Sequence, residues 1–168
     1  MAESCTNALL SDDEVKVIQS IWSSVMKDAN THGMNFFLKF FRENPTFQER
    51  FASLRNLKTE EEMKASKRLK AHAASVFHAI TALVDNLDDL ECVSDMLEKI
   101  AANHLRRKVN WPFFDRIALC IVAFLSETLG TQIMDSKATT AWTKVLNVIT
   151  ETVKRVEVEQ LETQSASS

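Results

Sequence analysis

Glycine and proline are scarce in this chain, with two of each in 168 residues, where ordinary usage would supply about 20 together. So few turn formers cannot build the connections of a multi-stranded sheet, and an all-helical fold is expected. Cysteine is sparse as well. Cys5, Cys92 and Cys120 are odd in number and have no CxxC spacing, which excludes a disulfide framework and favours a reduced interior; Cys120 reads as a core residue. No long apolar run exists. The longest, Ile117 to Leu125, is nine residues, about half of what a helix needs to cross a bilayer. The opening segment MAESCTNALLSDDE lacks the basic start and apolar stretch of a secretory leader, so a cytoplasmic protein is expected. Excess positive charge is also missing. Twenty Lys plus Arg against 23 Asp plus Glu leave a net charge of −3, which provides no field for nucleic acid or an anionic membrane. A glycine fingerprint for dinucleotides is absent too.

What is present is an ordinary soluble composition, 45% hydrophobic and 26% charged, at a length suited to one domain that buries roughly 70% of its unfolded surface. Ser11 and Glu14 have capping-box spacing, and Val15, Ile18, Trp22, Val25 and Met26 follow at helical intervals to about Lys27. A second helix is expected over Thr31 to Arg42, with Gly33 inside it for close packing. Asn44 before Pro45 reads as the N-cap of a short third helix to about Phe51, and Thr59 with Glu62 repeats the capping-box signal. Ser66 to Val84 forms a long helix, Asp85 to Glu91 an acidic turn, and Val93 to His104 another helix. Pro112 opens an apolar helix that Gly130 stops, and a last amphipathic helix runs from about Ser136 to Leu161. The expected organisation is an N-terminal extension over 1–10, one domain over 11–161, and a disordered tail over 162–168.

Two histidines lie on apolar stripes. His72 falls three positions after Leu69 and four before Val76, and His104 continues the series Val93, Leu97, Ile100. Each has a plain reading as a hydrogen-bonded core residue. Two imidazoles facing inward from separate helices can also flank a flat group, and haem fits best: neutral imidazole is an axial ligand, and porphyrin needs apolar walls with cations at its edge. A structural zinc site would want four ligands at local Cys or His spacing, which are not found. His32 and His78 lie off both stripes and read as solvated or partly packed.

The order Trp22, Pro45, Phe51, His72, His104 and Trp142 resembles the globin family along nearly the whole chain. The segment FASLRNLKTEEEMKASKRLKAH is similar to the corner and distal helix of myoglobins, and ECVSDMLEKIAANHLRRKV to the proximal helix of intracellular bivalve haemoglobins. The resemblance implies an all-α globin fold, about eight helices in a three-over-three sandwich around haem b. It implies His104 as the proximal iron ligand and His72 as the distal residue. Phe51 is then the corner ring against porphyrin, Val76 the apolar residue over the iron, and Phe37 the distal ring that excludes water and slows autoxidation. Val109, Phe114 and Ile117 complete the proximal wall, with Lys99 and Arg107 toward the propionates, although the cluster Arg106, Arg107 and Lys108 reads equally as a solvated helix C-terminus favoured by the macrodipole. The Ile100 carbonyl or the Asn103 side chain is expected to hold the second nitrogen of His104.

Some positions depart from the pattern. Gly33 is expected to face Ala73 rather than a second glycine, which implies a slightly wider crossing. Ile100 stands where cooperative bivalve dimers carry an aromatic residue, which speaks against that mode of subunit communication and leaves a homodimer open. The leading expectation is a binding protein for dioxygen, in storage or transport, that also takes CO and NO. The alternative is a bis-histidine, neuroglobin-like or cytoglobin-like protein in redox, nitric oxide or signalling chemistry. With no reductase domain, a dedicated enzyme is not expected; nitric oxide dioxygenase, nitrite reductase or peroxidase activity would be secondary.

Overall fold

In the computed structural model, which describes residues 10–166, the chain is eight helices and no strand among those residues. The segment 1–9, with Cys5 and most of the expected N-terminal extension, lies outside them. The helices are α1 (Asp12–Met26), α2 (Ala29–Glu43), α3 (Pro45–Gln48), α4 (Glu60–Ala65), α5 (Lys67–Asp85), α6 (Leu90–Leu105), α7 (Trp111–Leu129) and α8 (Ser136–Ala166). Both capping boxes form: Ser11 with Glu14 starts α1, and Thr59 with Glu62 starts α4. Each satisfies two backbone N–H groups that the first helical turn leaves without partners. Gly130 closes α7 at φ 83°, a left-handed backbone that an L side chain would strain.

The helices pack as three over three. α1, α5 and α6 lie across α2, α7 and α8, with α2 against α5 and α8 against α1, α6 and α7. Trp22 joins three of them: its ring centroid is 5.2 Å from that of Phe77 on α5 and 5.8 Å from Trp142 on α8. Its indole N–H donates to Thr81 Oγ1 at 2.9 Å, so the polar edge of a buried ring is satisfied across the α1–α5 contact. Gly33 sits where α2 crosses α5. A Cβ there would stand 3.4 Å from the Ala73 Cβ and 3.5 Å from Phe77, so the close packing expected of this glycine is present and Ala73 is its neighbour.

Several local details differ from the sequence expectations. Asn44 does not cap α3; its side-chain amide donates to the Phe40 carbonyl and so closes the end of α2. α3 stops at Gln48, and the chain continues in turns that Gln48 itself pins, its amide donating to the Leu54 and Leu57 carbonyls at 2.7 and 2.9 Å. The acidic turn after α5 carries a buried Leu87, which explains how so polar a stretch holds its place. α8 runs past Leu161 to Ala166, so the polar tail expected to be disordered is helical to that point, with exposed side chains. His78 is exposed, and His32 is half-buried with its ring edge toward Phe124.

Candidate functional site

Ser66 caps α5 by accepting from the Leu69 N–H, and the buried stripe Leu69, Ala73 and Phe77 then seats that helix on α2. This seating turns His72 and Val76, one position before Ala73 and Phe77, along the edge of the same interface. The His72 ring meets two phenyl edges, Phe37 of α2 and Phe51 from the turn after α3, each 5.1 Å between centroids. Phe41, one turn beyond Phe37, backs both rings at 5.8 and 5.2 Å. Phe37 is fully buried and Phe51 half-buried. His72 is therefore a polar ring in an aromatic corner, and it makes no hydrogen bond among the described residues. Burial penalises its cationic form, and the charges of His104 and Arg107 push in the same direction, so its pKa falls from 6.5 to about 4. The ring is neutral at pH 7.

His104 lies in the last turn of α6. Its Nδ1 is 2.8 Å from the Ile100 carbonyl, which can only accept, so Nδ1 carries a proton and the neutral form of the ring has its lone pair on Nε2. That decides between the two expected partners: Asn103 instead accepts from the Arg106 guanidinium. The His104 ring meets the Phe114 ring at 5.1 Å, nearly edge-on. Its backbone carbonyl accepts from the N–H groups of Arg107 and Val109 at 2.9 and 3.0 Å, which folds the connector back on the histidine. Lys108 within that connector takes φ 60°, a left-handed conformation costly for a residue with a side chain.

The remaining predicted residues divide. Val76 and Ile117 are half-buried against the main core, and Ile100 packs on the smaller cluster of Leu83, Val93 and Leu97. Phe114 joins the cluster of Ala101, Val153 and Val156 beside His104. Arg107 is exposed, and its guanidinium donates to the Asn103 carbonyl at 3.4 Å. Lys99 is exposed and makes no hydrogen bond or ion pair among the described residues, and nothing joins it to either ring. Phe41 is the residue that sequence reasoning missed; its spacing of four from Phe37 on an apolar helix was the available signal.

The side chains have the chemistry a haem requires: an imidazole whose Nδ1 is held by a carbonyl, a second imidazole that burial keeps neutral, and aromatic rings beside each. A family model described as Globin matches residues 34–153. The chain belongs to the globin family. Members of this family bind haem, and the residues here fit that group. Cytoglobin-1 of Oryzias latipes is 29% identical over 148 residues, covering 88% of this chain and 83% of its own. Cytoglobin-2 of the same fish is 30% identical, covering 83% and 78%. A globin of the mollusc Nerita albicilla is 28% identical, covering 83% and 88%. This globin has no helix among its described residues long and apolar enough to cross a membrane.

Proposed function

We propose that this globin holds haem b through His104 and takes dioxygen reversibly beside His72, in oxygen storage or transport. One observation carries the reading: the Ile100 carbonyl holds His104 Nδ1 at 2.8 Å, which leaves Nε2 as the nitrogen available to iron. When bound, ferrous haem supplies an open coordination position for dioxygen, CO or NO. The chain supplies the rest. The Ile100 carbonyl sets the tautomer and basicity of His104. His72, neutral at pH 7, has one ring N–H to donate to a diatomic ligand in a low-dielectric corner, where such a bond is worth more than in water. Phe37 and Phe51 form the apolar wall, and Phe37 in particular denies water a place next to His72. Val76 and Ile117 are assigned to the porphyrin faces, with Val109 and Phe114 around His104. Arg107, exposed three positions after His104, is assigned to a propionate on the resemblance and its charge. Lys99 has only the resemblance behind that role.

A second reading has a specific basis. The His72 ring is neutral and free of protein hydrogen bonds among the described residues, so its own nitrogen is available to iron. That would give bis-histidine ligation and redox, nitric oxide or signalling chemistry. The visible spectrum of the deoxygenated ferrous protein separates the two. A single broad band that changes little in His72→Leu supports the open oxygen site. Sharp paired bands that collapse to the broad band in His72→Leu support bis-histidine ligation. Absence of haem absorbance refutes both.

A further inference from the structure

α6, which carries His104, packs chiefly on α8, with Leu83 of α5 at its far end. Its other attachment is covalent, through the short connector to Trp111 at the start of α7. In the first turn of α7 Pro112 has no N–H and the Phe113 N–H donates to the Asn110 carbonyl, which leaves the Trp111 N–H without a helical partner, and Asn110 at the N-cap makes no side-chain hydrogen bond to fill it. α8 fills the gap from outside. Glu157 Oε2 accepts from the Trp111 backbone N–H at 3.1 Å, and the Lys154 ammonium lies 4.7 Å from the centre of the Trp111 ring. A carboxylate at a helix N-terminus is also favoured by the helix dipole. On the same stretch of α8, Val153 and Val156 are buried against Ala101, Leu105 and Phe114.

We infer that Glu157 is a positioning residue for His104, acting through Trp111. Two routes lead from this anchor to the histidine. The connector that ends at Trp111 is hydrogen-bonded at its other end to the His104 carbonyl, by Arg107 and Val109. Phe114, one turn along α7 from Trp111, meets the His104 ring. Releasing the Trp111 N–H frees the first turn of α7 and with it both restraints. Glu157 and Trp111 are 46 positions apart, so no local signal in the sequence announces the tie.

The inference rests on His104 as the iron ligand, and the test separates the two. Glu157→Ala removes the acceptor, whereas Glu157→Gln keeps an amide oxygen that can accept the same N–H. Three readouts apply to the full-length protein. One is the iron–histidine stretching band of the ferrous haem-loaded protein, in a His72→Leu background so that His104 alone can ligate. The second is the rate of haem transfer to excess haem-free acceptor globin, and the third is deuterium exchange of amides 105–113 in the haem-free chain. Expected in Glu157→Ala are a shifted or broadened band, transfer about fivefold faster, the size of one lost helix cap, and faster exchange confined to that segment. Glu157→Gln retains most of the native behaviour. A native band and native transfer rate in Glu157→Ala overturn the inference, as does a Glu157→Gln protein as impaired as Glu157→Ala. If the parent protein takes up no haem, the proposed function fails, and native exchange over 105–113 in Glu157→Ala would then overturn the anchor independently.

Discussion

Replacing Phe37 with alanine separates the structural work of that ring from its effect on the gas site. The side chain is 1% exposed and touches Phe36 at 5.2 Å, Phe41 at 5.8 Å and His72 at 5.1 Å between ring centroids. Truncating a fully buried phenylalanine costs about 3–5 kcal/mol from lost transfer energy and the residual void. For a chain of this size that lowers Tm by roughly 6–20 °C. Stability alone would be lost at any core position, and Phe40, 1% exposed and in contact with Phe36, Phe41 and Phe47 rather than with any histidine, provides the control. The two variants should differ at the iron. Only the void at Phe37 opens beside a polar imidazole, and a cavity with a polar partner admits water where an apolar one stays dry. Water in that corner promotes oxidation of the ferrous oxygenated protein. Autoxidation, followed spectrophotometrically in air-saturated buffer, should therefore accelerate about tenfold or more in Phe37→Ala, equivalent to about 1.4 kcal/mol of barrier. Phe40→Ala should remain near the native rate at a temperature where both variants are folded. Equal rates in Phe37→Ala and the parent protein would refute the assignment of Phe37 as the barrier to water.

Two further outcomes follow from protonation. The pKa of His72 is about 4 when folded and 6.5 when exposed, so the unfolded chain takes up the proton first as pH falls. Its contribution is present above pH 6.5 and is lost as pH falls toward 4; chemical denaturation of the haem-free protein should show about 2 kcal/mol lost between pH 7 and 4.5. His72→Leu should lack that component, and an identical pH slope in the two proteins would contradict the burial of this ring. Cys120 is buried, and desolvation with the nearby Glu43 carboxylate raises its thiol to about 11, whereas Cys92 is half-buried. Iodoacetamide at pH 7.5 should label Cys92 well before Cys120 in peptide maps of the native protein, and comparable labelling would show that the Cys120 site opens to solvent.

Much of the architecture was legible because its signals are local. Capping boxes at Ser11 and Thr59 and the helical spacing around Trp22, His72 and His104 depend on residues three or four apart, and the structure realises them. Asn44 shows where such reading stops. An Asn side chain before proline can serve the helix that follows or the one that ends, and here its amide donates to the Phe40 carbonyl of the one that ends. Lys39 is a stronger case. Its side chain is charged, yet it is buried at 8% exposure because its ammonium bridges Glu43 at 2.6 Å and Glu127 at 2.8 Å. Both carboxylates favour the ammonium form and hold the pKa of Lys39 above its usual value. Glu127 is 88 positions away, and only the α2–α7 contact brings it near.

The sequence by itself determined the helical class, the globin resemblance and the two inward histidines, since each rests on composition or on helical period along one segment. Tertiary structure decided what those histidines can do. It chose the Ile100 carbonyl over Asn103 as partner of His104, enclosed His72 between Phe37 and Phe51, and anchored the start of α7 on Glu157. Ring tautomer, desolvation and electrostatic coupling depend on distances between atoms, some of them far apart in the chain, and helical period specifies only the face on which a residue lies.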